Sequence, residues 1–166
     1  MKNSIKFNLK PIGNEIAKAG EKGESFLKSH GLSKDSVQTQ IKVIRELIKS
    51  GITFENHKLP GGEISVQIFV EENTVTAEVS KPVNEATHNN QLQALDRTIQ
   101  WIRGYQDPYT HFRLRASQTS NSSGCSDSNS FGLARIAYEA GAIIDFYVSE
   151  DSILNLSAVS QLNGKH

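Results

Sequence analysis

Residues 129–159 read NSFGLARIAYEAGAIIDFYVSEDSILNLSAV, and this stretch decides how the chain is organised. Phe131, Leu133, Ile136, Ala137 and Ala140 recur at spacings that share one helix face, after a glycine-bearing turn at Gly132. Gly141 is the expected stop, because glycine enters the left-handed conformation without a Cβ penalty. Ile143, Ile144, Phe146 and Val148 form an apolar run suited to a largely buried strand. Ser149-Glu150-Asp151-Ser152 turns the chain, and Ile153, Leu154, Leu156 and Val159 continue it as a second strand. A helix followed by a hairpin is an α+β signature.

Upstream, Thr119 to Ser130 is polar and serine-rich. It lacks the apolar side chains that would offset about 1–2 kcal/mol of backbone entropy per fixed residue, so a mobile, lid-like loop is expected. Tyr109 to Arg115 fits helix or strand, whereas Leu92, Leu95, Ile99 and Ile102 define an amphipathic helix through Arg103. Ile64, Val66, Ile68 and Val70, then Val75, Ala77 and Val79, alternate with other residues around Glu72-Asn73 and predict an antiparallel hairpin ending at Pro82. Leu59-Pro60-Gly61-Gly62 is a turn before it. Val37, Ile41, Ile44, Leu47 and Ile48 form the stripe of the clearest helix, capped by Ser33 or Asp35 and ended by Gly51. Gln40, Lys42, Arg45 and Lys49 are expected to face away from it. Asn14 to His30 is a weakly amphipathic helix softened by Gly20 and Gly23, and Ile5, Phe7 and Leu9 alternate as a short strand. The order predicts an α+β two-layer sandwich: a mixed, largely antiparallel sheet of about five strands with helices on one face.

The 166 residues suffice for one domain with a full core, residues 1–32 being an N-terminal strand and helix extension. Eighteen basic side chains offset 18 acidic ones, so no net field draws in nucleic acid or membrane. Residues 1–60 carry 11 basic and 6 acidic groups, a mild basic bias. The lone Cys125 excludes an internal disulfide and a cysteine zinc cluster, and it suits a reducing compartment. No apolar run is long enough to cross a bilayer, and no apolar leader is evident, so a cytoplasmic location is expected. His30, His57, His88, His111 and His166 have no metal-ligand spacing, so no protein-held metal site is expected. Neither a GxSxG nucleophile turn nor a Walker loop occurs. One candidate for an anion remains: Asn129 to Leu133 leads a helix after a polar loop, Gly132 admits a close backbone approach, and Arg135 follows one turn in.

The order of elements over about residues 33–160 resembles the Bergerat ATP-binding fold of sensor histidine kinases and anti-sigma-factor serine kinases. Three places carry the resemblance. Glu46-Leu47-Ile48-Lys49-Ser50-Gly51 matches the helix where those kinases have a glutamate and then a magnesium-binding asparagine, with Ser50 in the asparagine's place. Ser80-Lys81-Pro82 stands where an adenine-reading aspartate and a glycine are found in the family. Ser130-Phe131-Gly132-Leu133 matches the glycine-rich phosphate turn, followed by Arg135, Gly141 and the closing strands. Short bacterial regulators of serine/threonine phosphorylation and partner switching are the members most similar, through the Asp107-Pro108-Tyr109 step and the Gly132 to Ala137 helix.

The resemblance implies a histidine-kinase-like ATPase domain with ATP and magnesium as cofactor, Glu46 as a base orienting a water or hydroxyl, and Ser50, Ser80, Ser130, Gly132, Leu133 and Arg135 around the nucleotide. The departures matter: a serine hydroxyl is a poorer magnesium ligand than an amide, and without the carboxylate the adenine amine has no partner. The resulting expectation is a signalling regulator acting by protein–protein interaction, with eroded or weak nucleotide binding. Its expected partners are a protein of a phosphorylation or partner-switching pathway and a second copy in a homodimer. Two alternatives stand: an active ATP-dependent serine/threonine kinase of such a system, and an unrelated structural or ligand-binding α+β protein. The third requires that the two hairpins not share one sheet under the helix at residues 35–50.

Overall fold

Alternation in the two hairpins fixes which side of each strand is covered, and the sheet follows from it. The computed structural model describes residues 3–10, 13–52, 63–104 and 128–162, with side chains left undescribed at 85–87 and 128–131. The turn at 59–62, the 107–109 step, residues 109–115, Cys125 and residues 119–127 lie outside these ranges. In chain order the elements are β1 (Ser4–Leu9), α1 (Gly13–Ser29), α2 (Lys34–Ile52), β2 (Ile64–Val70), β3 (Thr74–Pro82), α3 (Glu85–Arg103), α4 (Ser128–Glu139), β4 (Ile143–Val148) and β5 (Ile153–Gln161). The five strands form one sheet in the order β1-β2-β3-β5-β4, antiparallel at every pairing. This is the expected α+β two-layer sandwich, with helices on one face.

The hairpins join through β3 and β5, which pair from Thr74 opposite Gln161 to Pro82 opposite Ile153. Both therefore lie in one sheet with α2 packed on it, which removes the ground for treating the element order as accidental. Ile64, Val66, Ile68, Val75, Ala77, Val79, Leu154, Leu156 and Ala158 are buried beneath the helices. Their sequence neighbours Ser65, Gln67, Glu78, Ser80 and Asn155 lie on the other face, as a period of two requires.

α1 has the expected extent but is better seated than its composition suggests. A Cβ at Gly23 would stand 3.3–3.4 Å from the Cδ1 atoms of Ile44, Ile41 and Ile68, and one at Gly20 would stand 3.4 Å from the Arg45 guanidinium. The two glycines that weaken the isolated helix are thus the places where α2 comes closest. Lys28 Nζ lies 2.7 Å from Glu24 one turn earlier on the exposed side, and that hydrogen bond holds the Glu24 carboxyl below its ordinary value.

α2 is capped as expected, with Ser36 N–H donating to Ser33 Oγ at 3.2 Å. Two expectations about it need correction. Gly51 does not end the helix: it lies inside, where a Cβ would approach Val79 Cγ1 to 3.3 Å, so its smallness serves helix-to-sheet contact. Nor does Gln40 face solvent. It is 3% exposed, because α1, α4 and the sheet enclose most of the helix, and its Oε1 has no hydrogen-bond partner among the described residues. Gln40→Met keeps the volume and removes the orphaned acceptor, so it is expected to stabilise the fold by about 1 kcal/mol. Urea denaturation reads the change, and an unchanged or lower midpoint would mean that the amide already has a solvent partner.

α4 begins at Ser128, which makes residues 128–130 helical and puts Gly132 in the second turn instead of in a turn ahead of the helix. Leu133, Ile136 and Ala137 are buried on the face read from the sequence. Gly141 closes the helix at φ +60°, the left-handed conformation expected there, and Ser152 at φ +59° completes the β4–β5 turn. The run from Ile143 to Val148 is not largely buried: Ile143 is 64% exposed and Tyr147 58%, because among the described residues β4 is an edge strand and no helix lies on its far face.

Candidate functional site

The predicted site residues that meet do so where α2 and α4 run side by side. Lys42 Nζ lies 3.6 Å from Glu139 Oε1, and Arg135 Nη2 donates to Glu46 Oε1 at 2.9 Å. Ascending α2 therefore matches descending α4, and the helices are antiparallel. The outer pair is solvated, both side chains being at least a third exposed, and is worth at most about 1 kcal/mol. The inner pair differs because the Glu46 side chain is only 9% exposed. A carboxylate so covered must keep a cation or lose more in desolvation than the pair supplies. Lys49 Nζ stands 3.5 Å from the same Oε1, on the solvent side.

The other Glu46 oxygen explains Gly132. A Cβ on residue 132 would overlap Glu46 Oε2 and stand 3.0 Å from its Cδ. Glycine suits this position because the Glu46 carboxylate lies against the helix backbone there. The glycine three residues before an arginine, which stands out in the sequence, is the place where the Glu46 side chain meets α4.

The remaining predicted residues separate. Ser50 is buried on α2 one turn beyond Glu46, and Leu133 is a core residue. Ser130 belongs to the first turn of α4 by its backbone. Ser80 is not part of the group: its hydroxyl donates to Asn155 Oδ1 at 2.7 Å on the face of the sheet opposite α2. Its neighbour Lys81 points the other way, in phase with Val79, and is 3% exposed. Lys81 is not among the site residues that the sequence suggests. The period of two along β3 was the signal that puts residue 81, and not residue 80, on the helix side. His88 also has a structural task, its Nδ1 accepting from Asn84 N–H at 3.0 Å at the start of α3.

Chemically, Glu46 has one oxygen engaged by two cations and the other against Gly132. For magnesium, the nearest donors offered by α2 are this neutralised carboxylate and the Ser50 hydroxyl, a poor fit to an ion that prefers charged oxygen ligands. Among the described residues no group of three or more His, Cys, Asp or Glu is placed to hold a metal ion. No helix among them is long and apolar enough to cross a membrane.

No family model matches the chain, and no curated protein matches it. Among solved structures, a chain of the SiaB–SiaC complex from Pseudomonas aeruginosa superposes with a TM-score of 0.67. The match covers 93% of this chain and 88% of that one at 19% identity, and it is a likeness of fold. The chain thus shares its overall fold with that chain of the SiaB–SiaC complex.

Proposed function

We propose that this chain is a signalling regulator that acts by binding a protein partner of a phosphorylation or partner-switching pathway, on an ATPase-like fold whose nucleotide binding is weak. The observation that carries the reading is the Glu46 carboxylate, paired with Arg135 at 2.9 Å and seated on Gly132. A general base needs a free lone pair within reach of the proton it takes, and here Oε1 is taken by Arg135 and Lys49 while Oε2 lies against the α4 backbone at Gly132. Ser50, where the resemblance implies an amide, and Ser80-Lys81-Pro82, which has no carboxylate where the resemblance implies one, work in the same direction. The likeness to a chain of a two-protein complex supports a protein partner as the binding target.

Calorimetric titration of the protein with ATP and magnesium tests the weak-nucleotide half of the proposal. The expected isotherm is flat or fits a dissociation constant no tighter than about 1 mM, equivalent to about −4 kcal/mol. Tight, magnesium-dependent binding would overturn it. Transfer of labelled phosphate to a co-encoded protein, lost in Glu46→Gln, would establish the kinase reading in its place.

A further inference from the structure

β4 ends the sheet among the described residues, so one of its two main-chain edges faces away from β5. Residues two apart on a strand present their N–H and C=O groups to the same side. On β4 two such groups have side-chain partners. Ile144 O accepts from Arg103 Nη2 at 3.1 Å, and Phe146 N–H donates to Asp145 Oδ1 at 2.8 Å. Arg103 Nη2 also stands 3.5 Å from Asp145 Oδ2, which links the two contacts. Ile144 and Phe146, and with them Val148, therefore face outward along the edge. Without those partners IIDFYV would be an open template: β-branched or aromatic at five of six positions, with one charge and no proline.

We propose that the outer edge of β4 is a latent pairing surface for a second copy of this chain, held shut by Arg103 and Asp145. The strand is self-complementary about Phe146. In an antiparallel pair centred there, Phe146 meets its own counterpart and Ile144 meets Val148 of the second copy. These are the residues whose main-chain groups point outward, so the ladder closes symmetrically, as an isologous two-fold contact requires. On the face under the helices, the half-buried Phe146 and Val148 gain apolar cover. On the open face Asp145 comes opposite Tyr147 of the second copy. The guard takes the Ile144 carbonyl and the Phe146 N–H, which are the groups this ladder would use, so guard and pairing exclude one another. Arg103 is 43% exposed and can swing into solvent without unpacking α3.

The test compares the full chain with Arg103→Ala, Asp145→Ala and the double variant by sedimentation equilibrium, circular dichroism and amide hydrogen exchange. The double variant is expected to stay folded, to reach twice the mass of the wild-type protein at equal concentration, and to protect the Ile144 and Val148 amides. Adding Val148→Pro, which deletes one outward N–H, is expected to restore the wild-type mass. Asp145→Ala alone is expected to speed exchange at Phe146. A folded double variant with unchanged mass overturns the proposal, as does a doubled mass that survives Val148→Pro. If the double variant unfolds, Asp145→Asn decides: it keeps the shape, and wild-type mass together with unaltered Phe146 exchange would count against the guard.

Discussion

Gly132→Ala is expected to destabilise the protein by about 1–2 kcal/mol, while the same change in a Glu46→Ala background is expected to stabilise it by about 1 kcal/mol. The sign reversal follows from two opposed terms. Inside a helix, alanine is favoured over glycine by about 1 kcal/mol, since it loses less backbone entropy. Against this, a Cβ on residue 132 needs the space of Glu46 Oε2. The carboxylate tip is mobile enough to yield, but it yields by leaving Arg135, and a hydrogen bond between charged groups contributes about 1.5–3 kcal/mol. With Glu46 truncated there is nothing to displace, and only the helix preference remains. The coupling in the four-member cycle should therefore be about 2–3 kcal/mol, at the upper end for residues in contact. Urea denaturation of the four proteins measures it. Additive changes would mean that Glu46 is not seated on Gly132, and a more stable Gly132→Ala single variant would sink the account of why glycine is there.

Much of this architecture was legible because one physical regularity dominated each element. Strict alternation from Ile64 to Val79 left one arrangement for β2 and β3, and Gly141 marked its helix end because no other residue type adopts φ +60° so cheaply. The site was legible in part, and the misses share a cause. Gly20, Gly23, Gly51 and Gly132 all read as punctuation, as softening or stop or turn. In the structure each marks a close approach: to α2, to the sheet, or to the Glu46 carboxylate. Glycine's local cost is visible in sequence, whereas its use in packing depends on an element distant in the chain. Gln40 was misplaced for a related reason. A stripe of aliphatic residues identifies the first buried face of a helix, but α2 is enclosed by α1, α4 and the sheet, and no periodicity announces the further contacts. Strand parity puts Lys81 under the helices and Ser80 on the opposite face, because a side chain cannot change faces without shifting the ladder.

That constraint sets the other large effect, on two isoleucines joined by one peptide bond. Ile144→Ala is expected to cost about 2–5 kcal/mol, and Ile143→Ala about 0.5 kcal/mol. From sequence both belong to one apolar run, and a largely buried strand would make them equal. In the sheet they take opposite faces. Ile144 is opposite Ala158 and 3% exposed, and it lines a cavity with Ile99, Ile102 and Ala137 where α3 and α4 adjoin β4. Ile143, opposite Val159, is 64% exposed on the face where none of the described helices lies. Truncating Ile144 removes buried methyl groups and leaves a cavity between elements that are anchored elsewhere and can close only in part. Truncating Ile143 exposes its backbone a little more and loses some strand preference, a term that is small at a sheet edge. Chemical denaturation of the two variants under identical conditions gives the contrast directly. Equal losses would place helices on both faces of β4 and remove the open face. A reversed order would require the strand to be shifted by one residue, exchanging every inward and outward side chain from Ile143 to Val148 and, with them, the Arg103 contact to the Ile144 carbonyl.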